Sequence, residues 1–348
     1  MPRRSARFGF LARGLAALAI GACASCAEDS RPAVYPTPAP AYPGQPVYGT
    51  PAATAQPGPV APAQPGVPAQ PGPAPALPPV PFDPITQVDI AFLRGRAQAV
   101  LSELVANLPA QQQSRVANIP LIIDAEVGEV NAFAACTKEG KAAMAISDGL
   151  LDIQAHLAQA RAIDELFGSR KVDEYVRFIA QYQRPKSPIV RPPAGFFDPG
   201  QTVDGRKVQR QHQVLDEQIA FVLGHELAHH YLGHLPCTSG SALNPADVAR
   251  VLSDAIPLFN QPNELAADMA GVNNVLTTGA RRPGYRYNEG GALLTMQFFA
   301  GVDQLSPIDV IFAFERSHPP PAVRSPVIHQ TAAAWRATGG QGLPILGF

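Results

Sequence analysis

The chain has 348 residues, of which 46 % are hydrophobic, and a formal net charge of -1, with no basic run beyond the first few residues. This composition excludes nucleic acid as a partner, because nothing predicts the basic surface that such binding requires. The 38 prolines are unevenly spread, and nearly half of them lie between Arg31 and Pro81. The remainder, residues 82–348, is long enough to bury one globular core.

The N-terminus has the pattern of an export signal. Three arginines at positions 3, 4 and 7 precede an apolar run from Phe8 to Ala22, so residues 1–22 are predicted to be a signal peptide and the protein to reach the periplasm or cell envelope. The sequence Ile-Gly-Ala-Cys that ends at Cys23 resembles the lipobox of bacterial lipoproteins. We therefore expect a lipid on Cys23 that anchors the protein to a bilayer; simple cleavage of the signal is the alternative.

Residues 23–81 are predicted to be a disordered tether. They repeat Ala-Gln-Pro-Gly at positions 55, 63 and 69 and carry almost no charge, so they cannot bury a core. About fifty residues in an extended form could hold a folded domain on the order of 100 Å from a membrane anchor.

A helix and a small sheet are predicted next. Apolar periodicity over Ile85–Leu108, followed by Pro109, is typical of an amphipathic helix. Residues 119–135 read as one or two strands, and Ala142–Ser147 as another that pairs with them through a turn at Lys138–Lys141.

Residues 152–213 form a block between this sheet and the histidine-bearing helix described below. Asp152–Arg184 is predicted to be helical, and Pro185–Gly200 is predicted to be a loop because it is rich in proline and glycine. The block is interpreted either as a lid over a site or as a peripheral packing element. The helix that follows is expected to begin near Val208 or Val214.

The C-terminal half is predicted to be all helix. Asn244 is a candidate N-cap, and Gly279 is a candidate residue for ending a helix. The predicted helices span Pro245–Ile256, Pro262–Thr278, Glu289–Leu305, Pro307–Arg316 and Ala322–Thr338.

The segment Phe221–Leu235, FVLGHELAHHYLGHL, carries the motif His-Glu-x-x-His (HExxH). His225 and His229 are four residues apart, so on a helix both imidazoles project from one face and can bind a single zinc ion. Glu226 lies about 100° around the helix, where its carboxylate can act as general base on a water molecule at the metal. Catalytic zinc normally takes three protein ligands, so two histidines leave the set incomplete.

Glu264 and Asp268 are candidates to complete the site. They lie four residues apart in the segment NELAAD and share one face of a predicted helix. One of them could bind the metal while the other accepts a hydrogen bond from a ligand imidazole. Such a pair is more often a solvated helix face, but the two histidines favour the metal interpretation.

The segments HELAHH, NELAAD and SHPPPAVR, in this order, resemble the zinc peptidase family of HtpX and the CAAX prenyl proteases, most closely its soluble periplasmic lipoprotein members. The resemblance implies an α+β, predominantly helical, gluzincin-like metallopeptidase domain with a small sheet beside the HExxH helix. It also implies that His225, His229 and Glu264 bind one Zn2+ per chain, that Glu226 is the general base, and that Asp268 orients a ligand histidine.

The same resemblance assigns residues around the metal. It places His318 and Arg324 near the site, where they would steady the substrate or the oxyanion. It also implies that the strand with Asn131, Ala132, Phe133 and Ala134 lies at the cleft edge and pairs with an extended peptide.

The sequence departs from the family pattern in two places. Residues 152–213 are longer than most members carry there, and later hydrophobic spans are absent, so a prenylated membrane substrate is not expected. A metzincin site is not expected either, since its third histidine would fall at Leu235. His230 and His234 are interpreted as non-ligands, because His234 on a continuing helix points away from the pair.

Cys136 and Cys237 are the two cysteines of the predicted folded part. In an exported protein an even pair suggests a disulfide, which would tie the predicted hairpin to the loop after the histidine helix. Two free thiols are the alternative.

The expected function is a zinc endopeptidase of the cell envelope that hydrolyses unfolded or misassembled envelope proteins. Its expected partners are polypeptide substrates and a lipid bilayer. The alternative is a non-catalytic, zinc-stabilised envelope scaffold or chaperone-like binder. An intact Glu226 and a full ligand set argue against that alternative, because a protein that only binds needs no general base.

Overall fold

The computed structural model describes residues 82–237, 243–254, 261–305, 312 and 318–342. The predicted signal peptide, tether and Cys23 lie outside these residues, as does nearly all of the predicted helix Pro307–Arg316. The described helices are α1 (Ile90–Ala106), α2 (Ala110–Val116), α3 (Asp148–Phe167), α4 (Lys171–Tyr182), α5 (Pro199–Thr202), α6 (Gly205–Tyr231), α7 (Pro245–Asp254), α8 (Gln261–Arg281), α9 (Gly290–Leu305) and α10 (Pro321–Ala337). The strands are β1 (Leu121–Asp124), β2 (Ala132–Cys136) and β3 (Ala142–Ser147).

This composition confirms the predicted α+β, predominantly helical class. Among the described residues, no helix combines the length and the apolar character needed to cross a bilayer.

The three strands form a mixed sheet in the order β1, β3, β2. The predicted hairpin is confirmed: β2 and β3 are antiparallel, with Phe133 opposite Ala145, and the turn between them is closed by a bond from the Thr137 N–H to the Lys141 carbonyl at 2.8 Å. β1 pairs with β3 in parallel. This places β2 at an edge of the sheet, with no second neighbour among the described strands.

Helix α6 is the central element of the fold. It packs against α1, α3, α8 and α9, and it also contacts β2 and β3. The helix begins at Gly205, earlier than predicted, because the Asp204 side chain caps it by accepting a hydrogen bond from the Arg206 N–H at 2.8 Å. The apolar pattern of the sequence did not indicate this start, because residues of the first turns such as Lys207 and Gln211 are buried although they are polar.

Residues 152–213 do not form a peripheral element as a whole. The predicted single helix is divided at Gly168, whose φ of 68° is left-handed and ends α3. Apolar side chains of α3 such as Leu151 and Ile163 are fully buried, and the helix packs on α6. A helix that supplies this much of the core cannot swing aside as a lid while the domain stays folded. The loop that follows α4 packs against the chain before β2, where a Cβ on Gly128 would meet the backbone of Ser187.

Pro109 follows the end of α1, as predicted, and directly precedes α2, since proline is tolerated at the start of a helix. One other boundary differs from the predictions. Gly279 does not end its helix, because α8 continues to Arg281. The absence of a side chain at Gly279 serves packing instead: a Cβ there would lie 2.5 Å from the backbone nitrogen of Tyr287.

A disulfide joins Cys136, at the end of β2, to Cys237, with a Cα–Cα distance of 5.3 Å. It links the edge strand of the sheet to the segment that follows α6.

Glu217 is a buried carboxyl group on α6, outside the histidine motif. Its Oε1 accepts hydrogen bonds from the Tyr285 hydroxyl and from the Asn288 N–H at 3.0 Å, and its Oε2 lies 4.0 Å from the guanidinium of Arg210. Burial raises the pKa of Glu217 to about 7, although the charge of Arg210 opposes this shift.

Candidate active site

The HExxH motif lies on the last two turns of α6. His225, Glu226 and His229 are buried there, with relative exposures of 1 %, 2 % and 8 %. Because His225 and His229 are one turn apart, their Nε2 atoms lie only 3.2 Å apart.

Helix α8 brings Glu264 and Asp268 to the same place. The two helices approach closely at Gly224 of α6 and Gly271 of α8, where a Cβ on Gly271 would lie 3.0 Å from the backbone nitrogen of His225. This close approach lets Glu264 reach both imidazoles, with Oε2 at 3.3 Å from Nε2 of His225 and Oε1 at 3.3 Å from Nε2 of His229.

The geometry of these three residues fits a zinc ion. His225, His229 and Glu264 form a group whose ligand atoms lie within 4.8 Å of one another. Zinc with ligands at about 2.0 to 2.1 Å in a tetrahedron separates them by about 3.3 Å. This is close to the 3.2 Å between the two imidazole nitrogens and to the 3.3 Å from each of them to one oxygen of Glu264. The donor set of two imidazoles and one carboxylate is also one that zinc prefers. These residues would therefore hold the metal.

Asp268 lies behind His225. Its Oδ1 is 2.9 Å from Nδ1 of His225, so the imidazole donates from Nδ1 and leaves Nε2 free to bind metal. Asp268 is in turn held by Arg324, which donates from Nε to Oδ2 at 2.9 Å and from Nη2 to Oδ1 at 2.6 Å. Both partners are buried, with exposures of 0 % for Asp268 and 1 % for Arg324.

This placement corrects the expected role of Arg324. Its Nη2 lies 3.3 Å from Nδ1 of His225, the nitrogen that faces away from the metal position. The guanidinium is therefore on the far side of the His225 ring, where it holds Asp268 and is badly placed to steady an oxyanion. Its contribution is indirect, through Asp268 and His225.

His318 is buried beside Glu226 and Glu264. Its Nε2 is 3.3 Å from Oε1 of Glu226 and 3.7 Å from Oε2 of Glu264. The Glu226 Oε1 atom is buried and accepts no well-aligned hydrogen bond from the described residues. A buried carboxylate oxygen in this state is suited to accept a proton from a bound molecule.

The electrostatics favour an ionised general base. Burial alone would raise the pKa of Glu226, but the contact with His318 and the charges of the neighbouring histidines outweigh it and lower the pKa. The same balance, led by the hydrogen bond to His225, lowers the pKa of Glu264 to about 2. Both carboxylates are therefore charged at neutral pH.

The imidazoles of His225 and His229 differ in the direction of their pKa shifts. Burial and the charge of Arg324 lower the pKa of His225, but the hydrogen bond to Asp268, the charge of Asp268 and the hydrogen bond to Glu264 raise it overall, to about 9. Burial and the positive charge on His225 lower the pKa of His229 to about 3. Metal binding requires both Nε2 atoms to be unprotonated, so a metal ion would displace a proton from His225.

The predicted substrate strand lies at the sheet edge. Ala132, Phe133 and Ala134 belong to β2, which contacts α6. Asn131 precedes the strand and is tied to Ser147, whose hydroxyl accepts from its N–H at 2.9 Å. The Oδ1 atom of Asn131 is buried and has no hydrogen-bond partner among the described residues.

The two histidines interpreted as non-ligands are outside the groups that could hold a metal among the described residues. His230 donates a hydrogen bond from Nε2 to the Ala143 carbonyl at 3.0 Å, which links α6 to β3. His234 does not point away as expected, because α6 ends at Tyr231 and the chain turns back. The sequence signal that could have shown this is Gly233, a typical residue for ending a helix.

Comparison with known proteins agrees with this site. The family model described as peptidase family M48 matches residues 94–332, so the chain belongs to this family of zinc-dependent metallopeptidases. A search of curated proteins and a search of solved structures each returned no match. Membership confirms the family expected from the motifs. It assigns the chain to the metallopeptidase hydrolases and implies polypeptide substrates.

Proposed function

We propose that this protein is a zinc-dependent endopeptidase. The observation that carries the proposal is the grouping of His225, His229 and Glu264. The two Nε2 atoms lie 3.2 Å apart, and each lies 3.3 Å from one of the two Glu264 oxygens, with Glu226 buried beside them. When bound, zinc would polarise the scissile carbonyl and lower the pKa of a water molecule to about 7.

The protein residues would move the protons. Glu226 would accept a proton from the attacking water through Oε1 and pass it to the leaving amine. His318, whose Nε2 is 3.3 Å from that oxygen, would donate a hydrogen bond to the oxygen that gains charge on the substrate. Asp268, held by Arg324, would keep His225 in the orientation and tautomer that the metal requires.

The sheet edge supports an unfolded polypeptide as substrate. β2 has no second strand neighbour in the described part of the chain, so an extended peptide can add to it through backbone hydrogen bonds. A peptide bond in a folded domain cannot adopt this arrangement without local unfolding. We therefore expect unfolded or misassembled proteins to be cleaved.

The location is also a proposal. The arginine-rich start, the apolar run and the pattern ending at Cys23 support export and a lipid anchor in the cell envelope. A Cys23→Ser variant should move the protein from the membrane fraction to the soluble fraction. Recovery of the wild type in the soluble fraction would rule out the anchor.

The experiment that tests the activity compares four purified full-length forms on an unfolded model protein, with the zinc content of each determined. Glu226→Gln should keep its zinc and lose cleavage, whereas Glu264→Ala should lose zinc. Glu174→Gln, on the surface of α4, is the control and should match the wild type. Cleavage by Glu226→Gln at the wild-type rate would refute the mechanism. Zinc without cleavage in the wild type would favour the scaffold alternative.

A further inference from the structure

The C-terminal end of α6 folds back on a metal-facing histidine. Gly233 has a left-handed φ of 78°, its N–H bonds to the His230 carbonyl at 3.1 Å, and the His234 N–H bonds to the His229 carbonyl at 2.9 Å. This pair of bonds is the Schellman arrangement, which reverses the chain direction after a helix. As a result the side chain of His234 returns to the last turn of α6.

There it meets the ring of His229. The Nδ1 atoms of the two residues are 3.1 Å apart, and the rings are arranged edge to face, with centroids separated by 5.1 Å. The distance is that of a hydrogen bond between nitrogens, and one of the two must donate while the other accepts.

The direction of this bond follows from the opposite side of the His229 ring. Its Nε2 faces Nε2 of His225 and Oε1 of Glu264, so it would be the unprotonated, metal-binding nitrogen. The proton of the neutral His229 ring then lies on Nδ1, which donates to Nδ1 of His234. His234 in turn carries its own proton on Nε2.

We infer that His234 is a positioning residue that orients His229 for the metal. The inference rests on the proposed zinc site. It gives each ligand histidine a separate partner: the carboxylate of Asp268 holds His225, and the imidazole of His234 holds His229. Loss of such an outer partner typically weakens metal binding by about 10-fold to 100-fold.

Two variants of equal size separate this role from packing. The Oδ1 atom of asparagine can occupy the place of the histidine Nδ1 and accept the same hydrogen bond, whereas leucine has the same shape but no acceptor. In the full-length protein, His234→Leu should raise the zinc dissociation constant by about 10-fold to 100-fold. His234→Asn should stay close to the wild-type value. Zinc affinity would be measured by competition with a chromophoric chelator.

The cobalt-substituted protein supplies a second readout. The visible absorption of bound Co2+ responds to the orientation of its ligands, so the spectrum of His234→Leu should change while that of His234→Asn should not. Gly233→Ala, which strains the left-handed turn without meeting any atom within 4 Å, should shift the spectrum in the same direction. Thermal unfolding of the metal-free forms verifies that each variant is folded.

Equal zinc affinity in all three His234 forms would overturn the inference, and so would equal losses in the leucine and asparagine variants. Glu264→Ala separates this failure from failure of the site itself. If Glu264→Ala binds zinc as tightly as the wild type, the proposed ligand set is wrong. If it loses zinc while His234→Leu keeps it, only the positioning role is wrong.

Discussion

Removing Arg324 should destabilise the protein strongly, because it leaves the carboxylate of Asp268 buried without its main counter-charge. The two residues are 1 % and 0 % exposed and share two hydrogen bonds, at 2.9 and 2.6 Å. Breaking a buried pair of this kind by removing one partner typically costs about 3 to 5 kcal/mol. We expect Arg324→Met to lower the free energy of unfolding by this amount.

Removing both charges should separate stability from metal binding. Asp268→Leu combined with Arg324→Met leaves no unpaired buried charge, so most of the lost stability should return. Zinc affinity should remain about 10-fold to 100-fold below that of the wild type, because His225 no longer has an acceptor for its Nδ1 proton.

The measurements are urea unfolding of the metal-free variants and chelator competition for zinc. Arg206→Met is the control, since the ion pair of Arg206 with Asp204 is on the surface and its loss should leave the unfolding curve nearly unchanged. A change below about 1 kcal/mol in Arg324→Met would refute the argument that the pair is buried and necessary. Wild-type zinc affinity in the double variant would refute the role of Asp268.

Reducing the disulfide between Cys136 and Cys237, which are 101 residues apart, should lower the free energy of unfolding by about 4 to 5 kcal/mol; an unchanged urea midpoint would contradict this. Gly271→Ala should weaken zinc binding and lower the free energy of unfolding, since its methyl group would lie 3.0 Å from the α6 backbone. Gly224→Ala, whose methyl group would meet its nearest atoms at 3.5 Å, is the matched control. Equal effects of the two substitutions would refute the packing argument. The pKa of Glu217 is about 7 in the folded chain, against 4.5 as its ordinary value, so the native state binds the extra proton and stability falls as pH rises through 7. Between pH 5 and 8, Glu217→Gln should remove up to about 3 kcal/mol of the pH-dependent change in the free energy of unfolding. The same pH dependence in the wild type and in Glu217→Gln would contradict this prediction.

Local sequence predicted the parts of the site that one helix contains. His225, Glu226 and His229 lie within one turn, and their relative positions follow from helix geometry alone. The hairpin of β2 and β3 was also predictable, because its strands are adjacent in the chain and joined by a short turn.

Contacts between distant segments could not be derived in this way. β1 pairs with β3 although β2 lies between them in the sequence. The place of α3 in the core depends on its packing against α6. The spacing of Glu264 and Asp268 left open which of them reaches the metal, and the family resemblance supplied the assignment. The close approach of α8 to α6 at Gly271 brings Glu264 within 3.3 Å of both imidazoles.

The sequence by itself determined the metal-binding helix, the helical class of the domain and its peptidase family, since these depend on short-range spacing and on motifs. Only the tertiary structure decided that Arg324 supports Asp268 and that His234 returns to His229. A helix continued past Tyr231 would carry His234 away, but the left-handed turn at Gly233 reverses the chain. The partners of these side chains depend on where the helix ends and how the chain turns after it, and the motif specifies neither.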